Sequence, residues 1–428
     1  MPVSVRLRTL AALALLPAAV LAQTSRTRPV TDAEVARITR DAILIDTHND
    51  IPSHTIEGYD ISKPMVAQTD LKTMRGNLGG IFLSVFVDRT YVQGNHSANR
   101  TLQMIDTSMT DIVNKYPNDF IFATTADDIV RAHKQHKIAG LMGIEGGHAI
   151  EDSLRLLRDY YALGVRYMTL THFNTNNWAD AQGDENTPNV QHHNGLTPFG
   201  KDVVREMNRL GMMVDISRTA DKTFYDALET STAPIIASHS SCRAISNHTR
   251  NMTDEMIKAL AAKGGVININ FECEYLSQRY YDLMRPMLAR IRPQMAEARR
   301  IADPVARQAA IDKVENEGYG SIPPPTLEEV VAQIDHAVKI GGIDHVGIGT
   351  DFDGSNCVPA VLSDYTKFPI LTKALLEKGY SADDIKKIYG GNMLRVMRAV
   401  EQRAKELKNT PPIETTIEQA DGKKPAAN

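Results

Sequence analysis

A histidine and a carboxylate close the first apolar run of the chain, two positions apart. His48 and Asp50 stand in the sequence I-D-T-H-N-D. In extended chain, side chains at i and i+2 point to the same face, so this imidazole and this carboxylate would meet. The pair predicts two ligands for one cation, although a His-x-Asp pair also occurs for structural reasons.

A second apolar run, L-M-G-I, ends in Glu145 and is followed by Gly146 and Gly147. A buried carboxylate needs a cation or hydrogen-bond donors, because burial of an unpaired charge is costly. The two glycines would let the backbone come close to a ligand. Glu145 therefore predicts a metal site, and a salt bridge inside the fold is the structural alternative.

Three more apolar runs end in residues that bind metals or transfer protons. They give His172 in L-T-H, His239 in A-S-H-S-S, and Asp351 with Asp353 in G-T-D-F-D-G. Imidazole and carboxylate ligands without a thiolate favour zinc or a similar divalent ion. Water bound to such an ion becomes a nucleophile near neutral pH. The combination predicts metal-assisted hydrolysis of an amide or ester.

An arginine takes the corresponding place at the end of another run, M-V-D-I-S-R. Arg218 stays protonated and has no lone pair to offer a metal. It therefore cannot be a ligand, and the question is what a guanidinium would do among metal ligands.

These runs belong to a regular series of eight predicted strands. Most are almost continuously apolar, which is typical of parallel strands that are covered on both faces. The predicted strands span residues 43–48, 80–87, 140–144, 167–172, 212–216, 235–239, 266–271 and 346–350.

Amphipathic helices are predicted between the strands, at residues 151–163, 200–210, 254–263 and 327–340. Repeated strand–helix units predict an α/β fold, a (β/α)8 TIM barrel of the metal-dependent hydrolase type. An open doubly wound sheet is the alternative, and it is weaker because no G-x-G-x-x-G follows the first strand. In a barrel, the polar strand ends would all lie on the face where barrel enzymes place their chemistry.

One catalytic barrel domain is predicted over residues 30–408, with an insertion at about 275–325. The centre of the insertion, residues 285–315, is rich in Arg, Ala and Glu at helical spacing, and three prolines end the segment. A long segment after a barrel strand is well placed to cover the active site, and a solvated excursion is the alternative. Residues 409–428 are polar and predict a disordered tail.

The first 22 residues have the pattern of a signal peptide, with Arg6 and Arg8 before an apolar run that is short for a membrane span. The chain is therefore predicted to be exported, periplasmic or secreted, and no membrane anchor is evident. Only three cysteines occur, so at least one is unpaired within the chain. A net charge of -4 without a basic stripe argues against nucleic-acid binding.

Several segments, in the same order, resemble the renal, or membrane, dipeptidase family of zinc peptidases (peptidase family M19). They are I-D-T-H-N-D-I-P, G-I-E-G-G-H, T-H-F-N-T-N, S-H-S-S, H-T-R-N, D-H-V-G-I-G-T-D-F-D-G and G-G-N-M-L-R-V, spread over about residues 40–405. The resemblance implies a barrel enzyme with a two-zinc site that hydrolyses dipeptides, and it also implies a homodimer.

The resemblance assigns the metal ligands position by position. His48 and Asp50 would hold the first zinc, Glu145 would bridge the two ions, and His239 would hold the second. These positions agree with the ligands that the strand ends suggest.

The resemblance also assigns the residues that would handle the substrate. His172 would bind the substrate by polarising the scissile carbonyl and would steady the oxyanion. Arg250 would pair with the C-terminal carboxylate, which guanidinium geometry suits. Asp351 would take a proton from the attacking water and pass it to the leaving amine.

The chain departs from the family pattern at Arg218. Members with two zincs typically have D-[LIV]-S-H where this chain has D-I-S-R, so an expected ligand of the second metal is missing. The second site could be weak or empty, or His248, His192 or His193 could substitute, or the guanidinium could replace the second cation and pair with Glu145. We favour the first and third together: one firmly bound zinc, with Arg218 as a fixed positive charge that stabilises the oxyanion.

The leading functional prediction is an exported zinc dipeptidase. A related metallohydrolase of another amide, ester or lactam is the first alternative, because one residue of the metal shell has changed. A non-catalytic descendant that binds a peptide or serves biosynthesis is the second. Asp351 and His172 argue against it, because binding alone needs no proton transfer.

Overall fold

Short apolar segments of the chain form parallel strands that are buried on both faces. The computed structural model describes residues 29–64 and 68–422, and this part contains nine strands. Every residue of the longest strand, I-A-G-L-M-G-I-E, is buried, as expected for a parallel strand that is covered by helices. The strands are β1 (Ile45–Asn49), β2 (Gly80–Phe86), β3 (Phe120–Phe122), β4 (Ile138–Glu145), β5 (Val165–Thr169), β6 (Met213–Asp215), β7 (Ile236–Ser240), β8 (Val266–Ile269) and β9 (Val346–Ile348).

One parallel sheet contains all these strands, in the order β1-β2-β4-β5-β6-β7-β8-β9, with β3 beside β4. A parallel bridge between Asn49 and Phe352 joins the end of β1 to the segment after β9. The amide of Asp351 donates to the carbonyl of His48 at 3.1 Å in the same place. The sheet thus closes almost completely into a (β/α)8 barrel, as predicted, and the carboxyl ends of its strands surround one mouth.

Helices cover the outside of the barrel and connect its strands. Within the described residues they are α1 (Asp32–Asp41), α2 (Ile51–Thr55), α3 (Leu71–Met74), α4 (Ser97–Thr107), α5 (Ala126–Lys134), α6 (Leu154–Ala162), α7 (Pro198–Leu210), α8 (Asp221–Thr230), α9 (Asp254–Ala262), α10 (Cys273–Leu276), α11 (Gln278–Ala298), α12 (Pro304–Tyr319), α13 (Leu327–Gly341), α14 (Phe368–Glu377), α15 (Ala382–Lys386), α16 (Asn392–Glu406) and α17 (Ile417–Asp421).

Helix α7 shows how the local sequence sets these bounds. The Thr197 side chain accepts from the amide of Gly200, Pro198 opens the first turn, and Gly211 ends the helix with φ 89°. Only a residue without a Cβ adopts that φ easily, so the chain turns into β6 at this point.

All eight predicted strands occur, with ends that shift by a few residues. The strand β3 was not predicted, because three residues that pair only with the start of β4 leave little periodic signal. Strands β5 and β6 end earlier than predicted, at Thr169 and Asp215, so His172 and Arg218 stand on the loops that follow them.

The insertion after β8 folds as two packed helices, α11 and α12. Its apolar residues, including Tyr280, Met287 and Ile291, form a core of their own. A disulfide between Cys273 and Cys357 ties its start to the loop after β9, and Cys242 remains a buried free thiol. The helical spacing in the sequence is thus confirmed, and a role of the insertion as a cover stays a prediction.

The predicted disordered tail is wrong for residues 409–422, which lie against the barrel. The Ile413 amide donates to Glu206 at 3.2 Å, and Glu414 pairs with Arg155 and Arg158. Ile417 is buried at the start of α17. The prediction was made from the average polarity of the segment, which does not reveal the few apolar and acidic side chains that hold it to the barrel.

The predicted signal peptide, residues 1–22, lies outside the described residues. Within residues 29–64 and 68–422, no helix combines the length and apolar character needed to cross a membrane.

Candidate active site

The predicted site residues meet at the mouth of the barrel. His48 lies in β1, Glu145 ends β4 and His239 lies in β7, while Asp50 and Asp351 follow β1 and β9. All are buried, and so are three others from the neighbouring loops, His172, Arg218 and Arg250. Residues that are far apart in the chain therefore form one cluster, as the barrel topology requires.

Three carboxylates surround the Nε2 atom of His48. This atom lies 3.3 Å from Asp50 Oδ2, 3.6 Å from Glu145 Oε2 and 3.9 Å from Asp351 Oδ1. It is buried, and no well-formed hydrogen bond from the described residues satisfies it. Burial lowers the pKa of His48, but the negative groups around it outweigh burial and raise the pKa well above its usual value. The cluster therefore attracts a cation.

A tyrosine fixes the orientation of the His48 ring. The Tyr167 hydroxyl donates to the carbonyl of Thr47 at 3.0 Å, so it accepts from His48 Nδ1, which lies 2.8 Å away. The proton of a neutral His48 thus sits on Nδ1, and the lone pair of Nε2 faces the carboxylates. Gly143 makes this possible, because a Cβ there would overlap the Tyr167 ring.

The second histidine of the cluster is held in the same way. Ser238 donates its hydroxyl to Asp215 at 2.6 Å, so it accepts from His239 Nδ1 at 2.7 Å. His239 Nε2 then faces Glu145 Oε1 at 3.2 Å. The rings of His48 and His239 stack with their centroids 3.7 Å apart, and both direct a ring nitrogen into the site.

Glu145 presents one oxygen to each side of the cluster. Its Oε2 is the atom nearest His48, and its Oε1 faces His239 and also His172, at 3.8 Å. Burial raises the pKa of Glu145, but Arg218, His172 and His48 outweigh burial and hold the pKa well below its usual range. The carboxylate is thus placed to bridge two positive groups.

Arg218 supplies the second positive group. Its Nε donates to Glu145 Oε1, and its guanidinium lies over the Phe173 ring, 4.8 Å from the centroid. Burial lowers its pKa, but Glu145 outweighs burial and raises the pKa further, so Arg218 carries a permanent charge. The guanidinium occupies the side of Glu145 that faces His239 and His172.

The three loop histidines that could have replaced a ligand lie elsewhere. His193 Nε2 contacts the carbonyl of Asn176 at 2.8 Å, and His192 lies near Asp180. His248 packs its ring against Tyr275. Among the described residues, the groups with metal-binding geometry are His48 with Glu145 and His239, and His48 with Asp50 and Asp351.

His172 and Arg250 are the two buried residues that the family resemblance assigns to the substrate. Burial lowers the pKa of His172 to about 3, even though Glu145 raises it, so its imidazole is neutral and can donate an N–H. Arg250 donates from Nη1 to Ser240 Oγ at 2.8 Å and from Nη2 to the carbonyl of His239 at 2.6 Å. These bonds fix the Arg250 guanidinium against the backbone at the end of β7.

Asp351 is oriented by an asparagine and by its own backbone. Asn270 Nδ2 donates to Asp351 Oδ2 at 2.9 Å, which leaves Oδ1 directed at His48. Burial raises the pKa of Asp351, but His239, His48 and Arg218 outweigh burial and lower it to about 2. The side chain is therefore ionised and can accept a proton. Its φ of 61° is left-handed, a conformation that Asp tolerates better than most residues.

The residues present fit a divalent metal. The carboxylates that raise the pKa of His48 would draw a metal ion to its Nε2 in place of a proton, and nitrogen with oxygen ligands suits zinc. His48, Asp50 and Glu145 would hold the ion, with Asp351 beside them. The side of His239 and Glu145 already contains a cation, the Arg218 guanidinium.

Sequence reasoning missed the residues that orient the ligands. Tyr167 and Asn270 lie in or directly after barrel strands, and Asp215 looks like an isolated acid in an apolar strand. Their partners come from other strands, so no local spacing reveals them. A polar residue in an otherwise apolar strand was the only signal.

A nearly closed parallel barrel with a buried histidine and carboxylate cluster at its mouth defines a metal-dependent hydrolase of the barrel type. A family model, Membrane dipeptidase (Peptidase family M19), matches residues 32–411. The chain therefore belongs to the membrane dipeptidase family and is a peptide-bond hydrolase.

Two relatives of known sequence are also named dipeptidases. The chain is 34% identical over 395 residues to the dipeptidase verJ of Clonostachys rogersoniana, which covers 88% of this chain and 89% of that protein. It is 34% identical to an uncharacterized dipeptidase of Schizosaccharomyces pombe (strain 972 / ATCC 24843), over 87% of this chain and 84% of that protein.

Solved structures share the fold. The crystal structure of the probable dipeptidase PvdM from Pseudomonas aeruginosa matches with a TM-score of 0.74 and 26% identity, over 87% of this chain and 99% of that one. A metallopeptidase from Rhodobacter sphaeroides, liganded with a phosphinate mimic of L-Ala-D-Ala, matches with a TM-score of 0.67 and 22% identity, over 84% and 100%. The second likeness shows the same fold.

Proposed function

We propose that the protein is an exported zinc-dependent dipeptidase. The observation that carries the proposal is the buried Nε2 of His48, which faces carboxylate oxygens of Asp50, Glu145 and Asp351. Membership of a dipeptidase family supports a dipeptide as the substrate. The nitrogen and oxygen ligand set, without a thiolate, supports zinc as the metal.

The residues of the site fit the steps of peptide hydrolysis. A bound zinc would supply Lewis acidity that makes water nucleophilic near neutral pH. Asp351 accepts the proton of the attacking water and returns it to the leaving amine. Neutral His172 donates its N–H to the carbonyl oxygen as negative charge develops there. Arg250 binds the C-terminal carboxylate of the dipeptide.

One firmly bound zinc is part of the proposal, with Arg218 as the second positive charge. The support is the ion pair between Arg218 Nε and Glu145 Oε1, on the side that faces His239. A guanidinium there offsets the charge of Glu145 without ligating. A second zinc on the same carboxylate oxygen would have to displace Arg218.

Export and self-association complete the proposal. The disulfide between Cys273 and Cys357 supports an oxidising destination, because disulfides persist mainly outside the cytosol. The basic and apolar N-terminal segment supports the same route. A homodimer is expected from the family and would be measured by light scattering of the mature protein.

The test is hydrolysis of a panel of L-L and L-D dipeptides by the purified protein, with metal content measured on the same sample. Turnover that disappears on chelation and returns with zinc is the expected result. The protein could instead hydrolyse simple esters or lactams and no dipeptide. In that case the replacement of a metal ligand by Arg218 has changed the substrate class. That outcome would replace the dipeptidase proposal.

Arg218→His gives the first prediction. The substitution restores a ligand beside His239 and Glu145, so the zinc content should rise from about one to about two ions per chain. Elemental analysis of wild type and variant measures this change directly. Arg205→His on the exposed face of α7 is the matched control, and its metal content should not change. Two zincs already present in the wild type would contradict the proposal.

A further inference from the structure

Two buried arginines at the mouth of the barrel each keep a donor without a partner. Arg218 Nη1 and Arg250 Nε are both buried, and the described residues provide neither with a hydrogen bond. The two residues are 8% and 4% exposed. A buried N–H without a partner is costly, so both donors call for an acceptor from a ligand.

The two arginines differ in their contacts with carboxylates. Arg218 is paired with Glu145, whereas no carboxylate of the described residues lies within ion-pair distance of Arg250. Burial and the charge of Arg218 together lower the pKa of Arg250 to about 10, although Asp351 and Glu145 oppose this shift. Arg250 is thus a buried cation without a carboxylate in direct contact.

Two hydrogen bonds hold the Arg250 guanidinium in place. Its Nη1 donates to Ser240 and its Nη2 to the carbonyl of His239, while its buried Nε has no partner. Arg218 donates from Nε to Glu145, while its buried Nη1 has no partner. A buried donor without a partner on each of two arginines suits an anion with two oxygens.

We propose that Arg218 and Arg250 together clamp the C-terminal carboxylate of the substrate, one oxygen on each arginine. The proposal rests on the dipeptidase function and adds a specificity role for Arg218. A carboxylate suits the two donors better than a single oxyanion does, since an oxyanion would leave one arginine without a partner. The clamp makes the site require a free α-carboxylate and so excludes longer peptides and C-terminal amides.

A double-mutant cycle between protein and substrate tests the clamp. Zinc-loaded wild type, Arg218→Met and Arg218→Lys are assayed with a dipeptide and with the same dipeptide as its C-terminal amide. Calorimetric titration with both compounds accompanies the assay. Arg218→Met should raise KM and Kd for the free dipeptide by about tenfold or more, which is the effect of losing one charged hydrogen bond. KM and Kd for the amide should change by less than about twofold, because the amide has no carboxylate for Arg218 to bind.

The outcomes separate the clamp from the other roles of Arg218. Equal losses of affinity and activity with the free dipeptide and the amide would mean that Arg218 acts through Glu145 or on the oxyanion. That result would overturn the clamp. If the wild type hydrolyses no dipeptide, the dipeptidase function fails, and the calorimetric arm still decides the clamp. If Arg218→Met does not fold, Arg218→Lys retains the charge but loses the second donor, and the same comparison applies. Zinc content is measured for each variant, so loss of metal is not mistaken for loss of the clamp.

Discussion

The Nε2 atom of His48 faces the carboxylates because a hydroxyl on another strand holds the far side of its ring. Tyr167 donates to Thr47 and accepts from His48 Nδ1, which leaves Nε2 as the only ligating nitrogen. Partners of this kind fix the tautomer and raise the affinity for metal. The ligand set is therefore built as much by Tyr167 as by His48.

Tyr167→Phe should weaken zinc binding while the barrel remains folded. The loss expected from removing such a hydrogen bond is about 10- to 100-fold in metal affinity. Competition with a chromophoric chelator measures the dissociation constant. Tyr160→Phe is the matched control, because Tyr160 is a buried tyrosine that donates to Ala149 and does not touch His48. Equal weakening in both variants would mean that packing, and not the hydroxyl, is responsible.

At the same scale, the sequence predicts the residues of the buried cluster better than it predicts the residues that orient them. His48, Asp50 and Glu145 stand out because charged residues at the ends of apolar runs are costly without a purpose. Tyr167 does not stand out, because an aromatic residue is ordinary in a strand. Only the register between β4 and β5, which opposes Gly143 to Tyr167, reveals why the tyrosine can cross the barrel.

At the scale of elements, a disulfide joins two loops that flank the site. Cys273 opens α10 after β8, and Cys357 follows β9. Tyr275, two residues after Cys273, packs under the guanidinium of Arg250. The bond thus links the loop that supports Arg250 to the loop that carries Asp351.

Removing this disulfide should destabilise the protein by roughly 2–4 kcal/mol, since the bond closes a long loop. Cys357→Ser should show a lower midpoint of urea unfolding and should no longer respond to a reducing agent. Cys242→Ser, at the buried free thiol, is the control and should still respond. A wild-type protein whose midpoint ignores the reductant would show that the disulfide does not contribute to stability.

The elements themselves could be predicted unevenly. Long apolar runs and amphipathic helices were recognisable, because burial on both faces of a strand or one face of a helix leaves a periodic pattern. Strand ends were not, because pairing stops where the neighbouring strand stops. Thr169 and Asp215, for example, close β5 and β6 as the last residues that pair with the neighbouring strand.

At the scale of the whole molecule, the barrel holds three carboxylates at one point of its mouth. Asp50, Glu145 and Asp351 are all buried, so their mutual repulsion is weakly screened by solvent. A metal that binds the folded state alone adds stability in proportion to the logarithm of its concentration. Folding and metal binding are therefore coupled throughout the domain.

Removal of the metal should lower the temperature of unfolding. A ligand present at 100 times its dissociation constant adds about 2.7 kcal/mol, which shifts the midpoint by several degrees. Calorimetry of chelated and zinc-restored protein measures the shift. Magnesium should restore little of it, because an imidazole ligand suits zinc better. An unchanged midpoint after verified removal of all metal would contradict this coupling.

The closing segment of the chain shows what composition alone could not predict at this scale. Residues 409–422 are polar on average, yet Ile417 is buried and Glu414 pairs with two arginines around α6. Disorder follows from a lack of apolar surface to bury, and here one buried isoleucine and the two ion pairs of Glu414 hold a short segment to a large domain.

The left-handed backbone at Asp351 has a consequence for how this enzyme can change over time. Both Asp351 and Asp353 have φ above 60°, where short side chains such as Asp and Asn are tolerated and most others are strained. A glutamate at 351 would have the same acid group but would meet the backbone penalty of a longer side chain. With the proposed role of Asp351 in proton transfer, catalysis and backbone conformation would favour the same amino acid at this position.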